Sequence, residues 1–353
     1  MRITVVGIGA IGSVIGAYLA RGGRDVEFVD TNVEHVDAVN ERGLEIREQR
    51  KDKGAITFIA KARAYTPEQF IAKDETIECI LLCVKAQYTK VALKQLLPLM
   101  NEESFVVSIQ NGITEFDIAE VVGKKRTVCG FVNIGADYIE PGLVHFGTKG
   151  PVAAGEWDGS YSLRIQRLEK EMLPVDMFKI SNNPMGYVWA KVAYSAITVA
   201  TTLTNETVAV TIAKPRYHEM MANLVAETLK VAVHEGVDLT GTAFDKFDPE
   251  LVYPRESRER GKMLEMMVDH ASIMRGTTKV HSGTWRDIVV RKKRTESHDH
   301  FRPIFELANK ACIQMPMCHI LIDMLGEIED GKRYFSDDNL EELLQKDLEI
   351  YPR

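Results

Sequence analysis

The sequence predicts an α/β protein, with a doubly wound parallel sheet in its N-terminal half and an all-helical C-terminal half. Three observations carry that expectation. Residues 2–6 end in β-branched apolar side chains and run directly into Gly7, Gly9 and Gly12, the spacing of a strand entering a tight turn. Apolar strand-like runs then alternate with helical ones as far as residue 180, as in a sheet covered on both faces. From Met185 onward nearly every segment has helical periodicity.

The first thirty residues are the most informative. After G-x-G-x-x-G, residues 13–20 carry apolar side chains at helical spacing, Gly22-Gly23 stops them, and a second strand over 26–29 closes on Asp30. The first glycine permits the turn, the second lets backbone N–H groups approach a pyrophosphate, and the third allows close packing. The new helix offers its N-terminus to phosphate. Asp30 stands 18 residues beyond Gly12, where a carboxylate meets an adenosine ribose. This is a Rossmann-type arrangement. Gly7, Ile8, Gly9, Ala10, Ile11, Gly12 and Asp30 are its expected cofactor contacts. An acidic residue repels a 2′-phosphate, and Thr31 and Asn32 bring no cation, so NAD(H) is favoured while NADP(H) stays open.

Further elements follow in order. A helix is expected over 33–42, a short strand pair over 44–47 and 55–60 around a polar loop at 49–54, and strands over 78–85 and 104–109. A helix is read at 90–99, and more strands at 127–133, 143–146, 152–155 and 175–180, with a helix at 163–172 before the last. Helices are read at about 186–205, 215–235, 257–275, 284–294, 297–313, 317–328 and 337–347. The composition change near Asn182-Asn183-Pro184 divides the chain into a dinucleotide-binding domain, 1–182, and a helical substrate domain, 183–353, with a cleft between them.

Bulk properties exclude some partners. A net charge of −7 over 353 residues argues against nucleic acid or an anionic membrane. Five cysteines without a C-x-x-C pair fit a reducing compartment. The chain opens directly on a strand, without a leader-like run, so a cytoplasmic enzyme is expected. No metal signature is evident; His298-Asp299-His300 reads as structural or surface, and the basic run 291–294 as a solvated face. The Met-rich segment with Met263, Met266, Met267 and Met274 reads as core, leaving a homodimer through the helical half open.

Chemistry should lie where apolar strands end. Lys85 closes ILLCVK and Asn111 closes VVSIQN. The segment 186–204 is apolar nearly all round, yet Lys191, Ser195, Thr198 and Thr202 recur on one stripe. A cation on a buried helix is costly unless paired or functional, which makes Lys191 the leading catalytic candidate. Glu296 reads as the end of a helix that starts after Ser282-Gly283-Thr284.

Taken together, GIGAIG, CVKAQYT, SIQNGI, PGLVHFG, W-A-K at 189–191, AETLKVAVHEGV and the segment from Ser282 to Glu296 resemble the ketopantoate reductase (2-dehydropantoate 2-reductase) family, in order and through both halves. The resemblance implies NAD(P)H-dependent reduction of a 2-oxo acid, ketopantoate to pantoate in the family. It implies Lys191 as general acid and Glu296 as a residue contacting substrate and that lysine, the two facing each other at the cleft. It also implies Asn111 near nicotinamide and substrate, Lys85 in the cofactor site, and Ser282 or Thr284 as a substrate contact. The family places asparagines four and eight residues after its lysine, followed by Pro-Leu-Thr-Ala. This chain has Ser195 and Val199, then Thr-Thr-Leu-Thr, besides an enlarged segment near 238–258 and a tail after Gly331. A bulkier or less hydroxylated 2-oxo acid than ketopantoate is therefore an open expectation. The rival readings are a β-hydroxyacid-type dehydrogenase and a catalytically silent dinucleotide sensor.

Overall fold

The chain folds in the computed structural model as two units, Met1–Pro184 and Met185–Arg353; residues 1–50, 54–244, 246–275 and 280–352 are described. Of the polar loop expected at 49–54, positions 51–53 fall outside that set.

The first unit runs β1 (Ile3–Val6), α1 (Ala10–Arg21), β2 (Val26–Val29), α2 (Val33–Arg42), β3 (Leu44–Arg50), β4 (Gly54–Ala60), β5 (Arg63–Tyr65), α3 (Pro67–Ile71) and β6 (Ile77–Leu82). It continues through α4 (Thr89–Leu96), β7 (Met100–Ser108), α5 (Glu115–Val122), β8 (Thr127–Val132), β9 (Gly135–Glu140), β10 (Leu143–Thr148), β11 (Val152–Gly155), α6 (Leu163–Met172) and β12 (Phe178–Ile180). Eight strands form the main sheet in the order β12-β11-β8-β7-β6-β1-β2-β5. Its pairs are parallel except β8 with β11.

A second sheet, β4-β3-β10-β9, corrects the expectation of a single wound sheet. The strand at 143 pairs in parallel with β3 and not with the main sheet. The reason lies in α1, whose residues from Gly12 to Leu19 are all buried. One face lies on the main sheet, where a Cβ on Gly16 would come within 2.4 Å of the Phe28 ring. The other is covered by the small sheet, with Tyr18 edge-on to Phe58 and Phe146 and its hydroxyl donating to Glu48 at 2.8 Å. A helix apolar on all sides needs two covers. Helices α3 and α5 and strands β5 and β9 are short elements that apolar periodicity left unmarked.

The second unit contains α7 (Pro184–Thr201), α8 (Val208–Ile212), α9 (His218–His234), α10 (Arg260–Arg275), α11 (Gly283–Val289), α12 (Ser297–Lys310), α13 (Pro316–Glu329) and α14 (Asp337–Ile350). Met263, Met266 and Met267 are buried in it. The helix expected at 284–294 stops at Val289, because Lys292 takes a left-handed backbone (φ +52°) and the Lys293 N–H returns to the Asp287 carbonyl. Glu296 accordingly caps the start of α12 instead of ending α11.

The tail after Gly331 is integral to this unit. Leu340, Leu343 and Leu344 of α14 are buried. Asn223 donates to Asp347 at 2.8 Å, Asn339 to the Leu203 carbonyl at 2.8 Å, and the Tyr351 hydroxyl to Glu227 at 2.8 Å. Glu227 also accepts the N–H groups of Met317 and Cys318 at the start of α13. Replacing Leu343 by Ala should therefore cost ~2–5 kcal/mol. The check is the urea midpoint of unfolding, and an unchanged midpoint would mean that α14 is a detachable appendage.

Candidate active site

The glycine turn is built around the peptide groups of Ile8. Gly7 adopts φ +88°, and a Cβ on Gly12 would stand 2.1 Å from the Gly7 carbonyl oxygen, so neither tolerates a side chain. Gly9 is exposed, and a Cβ there would meet nothing within 4 Å. It begins α1 without a side-chain cap and with no acid in the first turn. Open space thus lies before a twelve-residue helix whose first N–H groups lack intrahelical partners. A pyrophosphate fits that cradle.

The Ile8 N–H donates to Asp30 Oδ2 at 2.7 Å, and Asp30 Oδ1 accepts from the Asn32 N–H at 2.8 Å. The Ile8 carbonyl accepts from the Ser13 hydroxyl at 2.6 Å and contacts His35 Nε2 at 2.8 Å. His35 Nδ1 accepts the Gly142 N–H at 2.8 Å, which leaves the ring proton on Nε2 to be donated to Ile8. Burial holds the His35 pKa below its usual value. The imidazole therefore joins the glycine turn to the PGLVHFG loop of the second sheet. Sequence reasoning missed it because a His inside the α2 pattern carries no signal of its own.

At the ends of β6 and β7, Lys85 and Asn111 are both exposed. Gln110 ties their two loops together, its Nε2 donating to the Val84 carbonyl at 2.7 Å and to Thr89 Oγ1 at 2.8 Å. Beneath them Glu115 is fully buried at the start of α5, its pKa pushed up to about 7 by burial against opposing backbone and Ser108 hydrogen bonds.

In the second unit, α7 is buried except along one stripe. Over positions 184–204 the partly accessible residues are Tyr187, Lys191, Tyr194, Ser195 and Thr198. The stripe ends there, since Thr202 is buried. Ser195 donates its hydroxyl to the Val192 carbonyl at 2.6 Å and Thr198 to that of Ser195 at 2.9 Å. Val199 is buried.

Thr202 contacts Ser282 hydroxyl to hydroxyl at 2.7 Å, and Ser282 Oγ accepts the Trp285 N–H at 3.0 Å as the cap of α11. Ser282 is thus buried and committed to structure. Thr284 lies 3.4 Å from Ser297, the residue next to Glu296. Glu296 and His300 approach to 3.6 Å one helical turn apart, and His298 pairs with the buried Glu329 at 3.4 Å. The two histidines are half-buried partners of carboxylates, the structural one of the two roles expected for them. Glu329, with the Thr295 N–H at 2.8 Å, raises the His298 pKa. The run 291–294 is exposed as expected. Among the described residues no group of side chains could hold a metal ion, and no helix is long and apolar enough to cross a membrane.

A phosphate cradle with an acidic partner in one unit and a lysine on an accessible polar stripe in the other define an oxidoreductase that acts on a C=O/CH–OH group with a nicotinamide dinucleotide. Residues 3–159 match the family described as ketopantoate reductase PanE/ApbA, and 183–329 match its C-terminal counterpart. The chain belongs to the ketopantoate reductase family. It is 30% identical over 260 residues to the 2-dehydropantoate 2-reductase of Pyrococcus abyssi, covering 73% of this chain and 82% of the relative. It is 23% identical over 328 residues to that of Halobacterium salinarum, covering 92% and 98%. Among solved structures, D-mandelate dehydrogenase with NADH and anilino(oxo)acetate superposes with a TM-score of 0.76 at 22% identity, covering 94% of this chain and 99% of that one. A PanE/ApbA family ketopantoate reductase from Ralstonia eutropha gives 0.74 at 20% identity, with 95% and 100% covered. At these identities the two structures speak for the fold. Helix α14 lies beyond the family match.

Replacing His35 by Phe keeps the ring but removes both hydrogen bonds, and should weaken NADH binding roughly tenfold or more, read by fluorescence titration. Because folding lowers the His35 pKa, its contribution is complete above ~6.5 and is lost as pH falls through that value toward the lower folded one. Unchanged NADH affinity in the variant would remove His35 from the cofactor loop.

Proposed function

We propose that the chain reduces a 2-oxo acid to the 2-hydroxy acid with NADH, and that Lys191 is the general acid. The observation that carries this reading is the position of Lys191 in the middle of the partly accessible stripe of a helix otherwise buried. When bound, the reduced nicotinamide supplies a hydride. Hydride addition at C2 leaves a single negative charge on the former ketone oxygen. The Lys191 ammonium stabilises that charge and gives up a proton to it, and recovers the proton from solvent. Glu296, beside His300, orients the lysine or holds a substrate hydroxyl. Thr284 is the better-placed hydroxyl for the substrate, since Ser282 is spent on the α11 cap. Ser195 retains only acceptor capacity, its proton being engaged by Val192.

The turn from Gly7 to Gly12 receives the pyrophosphate, and Asp30 the adenosine ribose. Each Asp30 oxygen accepts one backbone N–H, and a carboxylate oxygen has room for a second donor. Ribose hydroxyls supply such donors, whereas a 2′-phosphate brings only negative charge. Lys85 and Asn111 stand at strand ends where the remainder of the cofactor and the substrate carboxylate are read.

Replacing Lys191 by Ala should lower kcat by roughly 10²–10⁴-fold and leave the NADH Kd within about twofold, checked by NADH absorbance and by titration. Turnover surviving the substitution would refute the assignment. Comparing kcat/KM for the two cofactors should favour NADH, and a clear NADPH preference would overturn the role given to Asp30.

A further inference from the structure

We infer that the substrate is a 2-oxo acid with a bulky apolar side chain, branched or aryl, and that Tyr187 and Tyr194 determine this specificity; the inference rests on the reading of Lys191 given above. The two tyrosines flank Lys191 on the accessible stripe of α7, one turn before and one turn after. Residues so spaced on a helix stand about 5–6 Å apart at Cβ. Both rings are held in place. The Tyr187 hydroxyl donates to the Gly241 carbonyl at 3.1 Å. That of Tyr194 meets His270 Nε2 at 2.5 Å, and its ring packs against Phe244 and Phe247 with centroids 5.6 and 5.1 Å away. Phe247 and His270 are buried.

Gly241, Phe244 and Phe247 all belong to the enlarged segment near 238–258. That segment anchors two aromatic walls beside the lysine. The hydroxyl protons on the same stripe are engaged as well: Ser195 gives its proton to the Val192 carbonyl and Thr198 to that of Ser195. A substrate side chain that reaches the two tyrosines therefore meets ring faces and edges whose hydroxyls are already engaged. Rings favour branched and aryl groups, while a terminal hydroxyl placed against them loses its water without gaining a partner there.

The test measures kcat/KM of the full chain for phenylglyoxylate, 3-methyl-2-oxobutanoate, pyruvate and ketopantoate, with NADH titration and thermal unfolding as controls. Wild type should prefer the first two over ketopantoate by tenfold or more. Tyr194→Ala should lower the phenylglyoxylate-to-pyruvate ratio at least tenfold, and Tyr194→Phe should keep it within about threefold. Ketopantoate turned over as well as the apolar acids, or a Tyr194→Ala ratio unchanged while all rates fall together, would overturn the inference. If wild type turned over no 2-oxo acid with either cofactor, the reading of Lys191 would fail instead, which is a separate outcome.

Discussion

The first unit depends on how the peptide groups of Ile8 are satisfied. Its N–H goes to Asp30, and its carbonyl to Ser13 and His35. These groups sit in a glycine turn that has no side chains to brace it, so the bracing comes from outside. Asp30 ends β2, Ser13 lies in α1, and His35 lies in α2 and reaches the second sheet through Gly142. Backbone polar groups deprived of water must find partners. Here those partners come from several elements, and the glycine turn is fixed by them. The Asp30 carboxylate, which accepts the Ile8 and Asn32 N–H groups, is one of the braces, so the residue that ends β2 and the geometry of the glycine turn are linked through one side chain.

Much of this was legible in the chain itself. The strand–turn–helix was readable because glycine spacing and apolar periodicity coincide over residues 3–21, and the helical second half because its periodicity is sustained. Lys191 stood out because a cation breaks an otherwise apolar pattern. What was not legible arises from pairings distant in sequence. Nothing local tells β10 to choose β3 over the main sheet, and nothing in the context of His35 announces that its two nitrogens bridge residues 8 and 142. The end of α11 was misjudged because the charged run at 291–294 holds no glycine or proline to signal a stop, whereas the left-handed turn at Lys292 is a tertiary choice. Ser282 was legible as the cap signal before α11, which its bond from the Trp285 N–H bears out, and only the family resemblance made it a substrate contact.

The helical unit divides its polar groups into two sets. Buried ones are consumed by architecture, as with Glu227, which gathers the start of α13 and Tyr351, and Asn223, which holds Asp347. Ser195 and Thr198 on the stripe of α7 remain partly accessible, and return their hydroxyl protons to the helix backbone. The result is a helix with one accessible face, on which Lys191 stands between two tyrosines. Side chains carried on helices are positioned more tightly than those on loops.

The parallel pairing of β10 with β3 also bears on how the chain reaches this state. The hairpin of β3 and β4 can form early, since its strands are adjacent. Its other edge must wait for Leu143 to meet Glu45, nearly a hundred residues apart. Closing so long a loop carries an entropic cost before any contact compensates it, and such contacts slow folding. Until it closes, the outer face of α1, with Tyr18, is only partly covered. Gly142, the partner of His35, immediately precedes β10, so the hydrogen bonds that brace the glycine turn are complete only when the second sheet is.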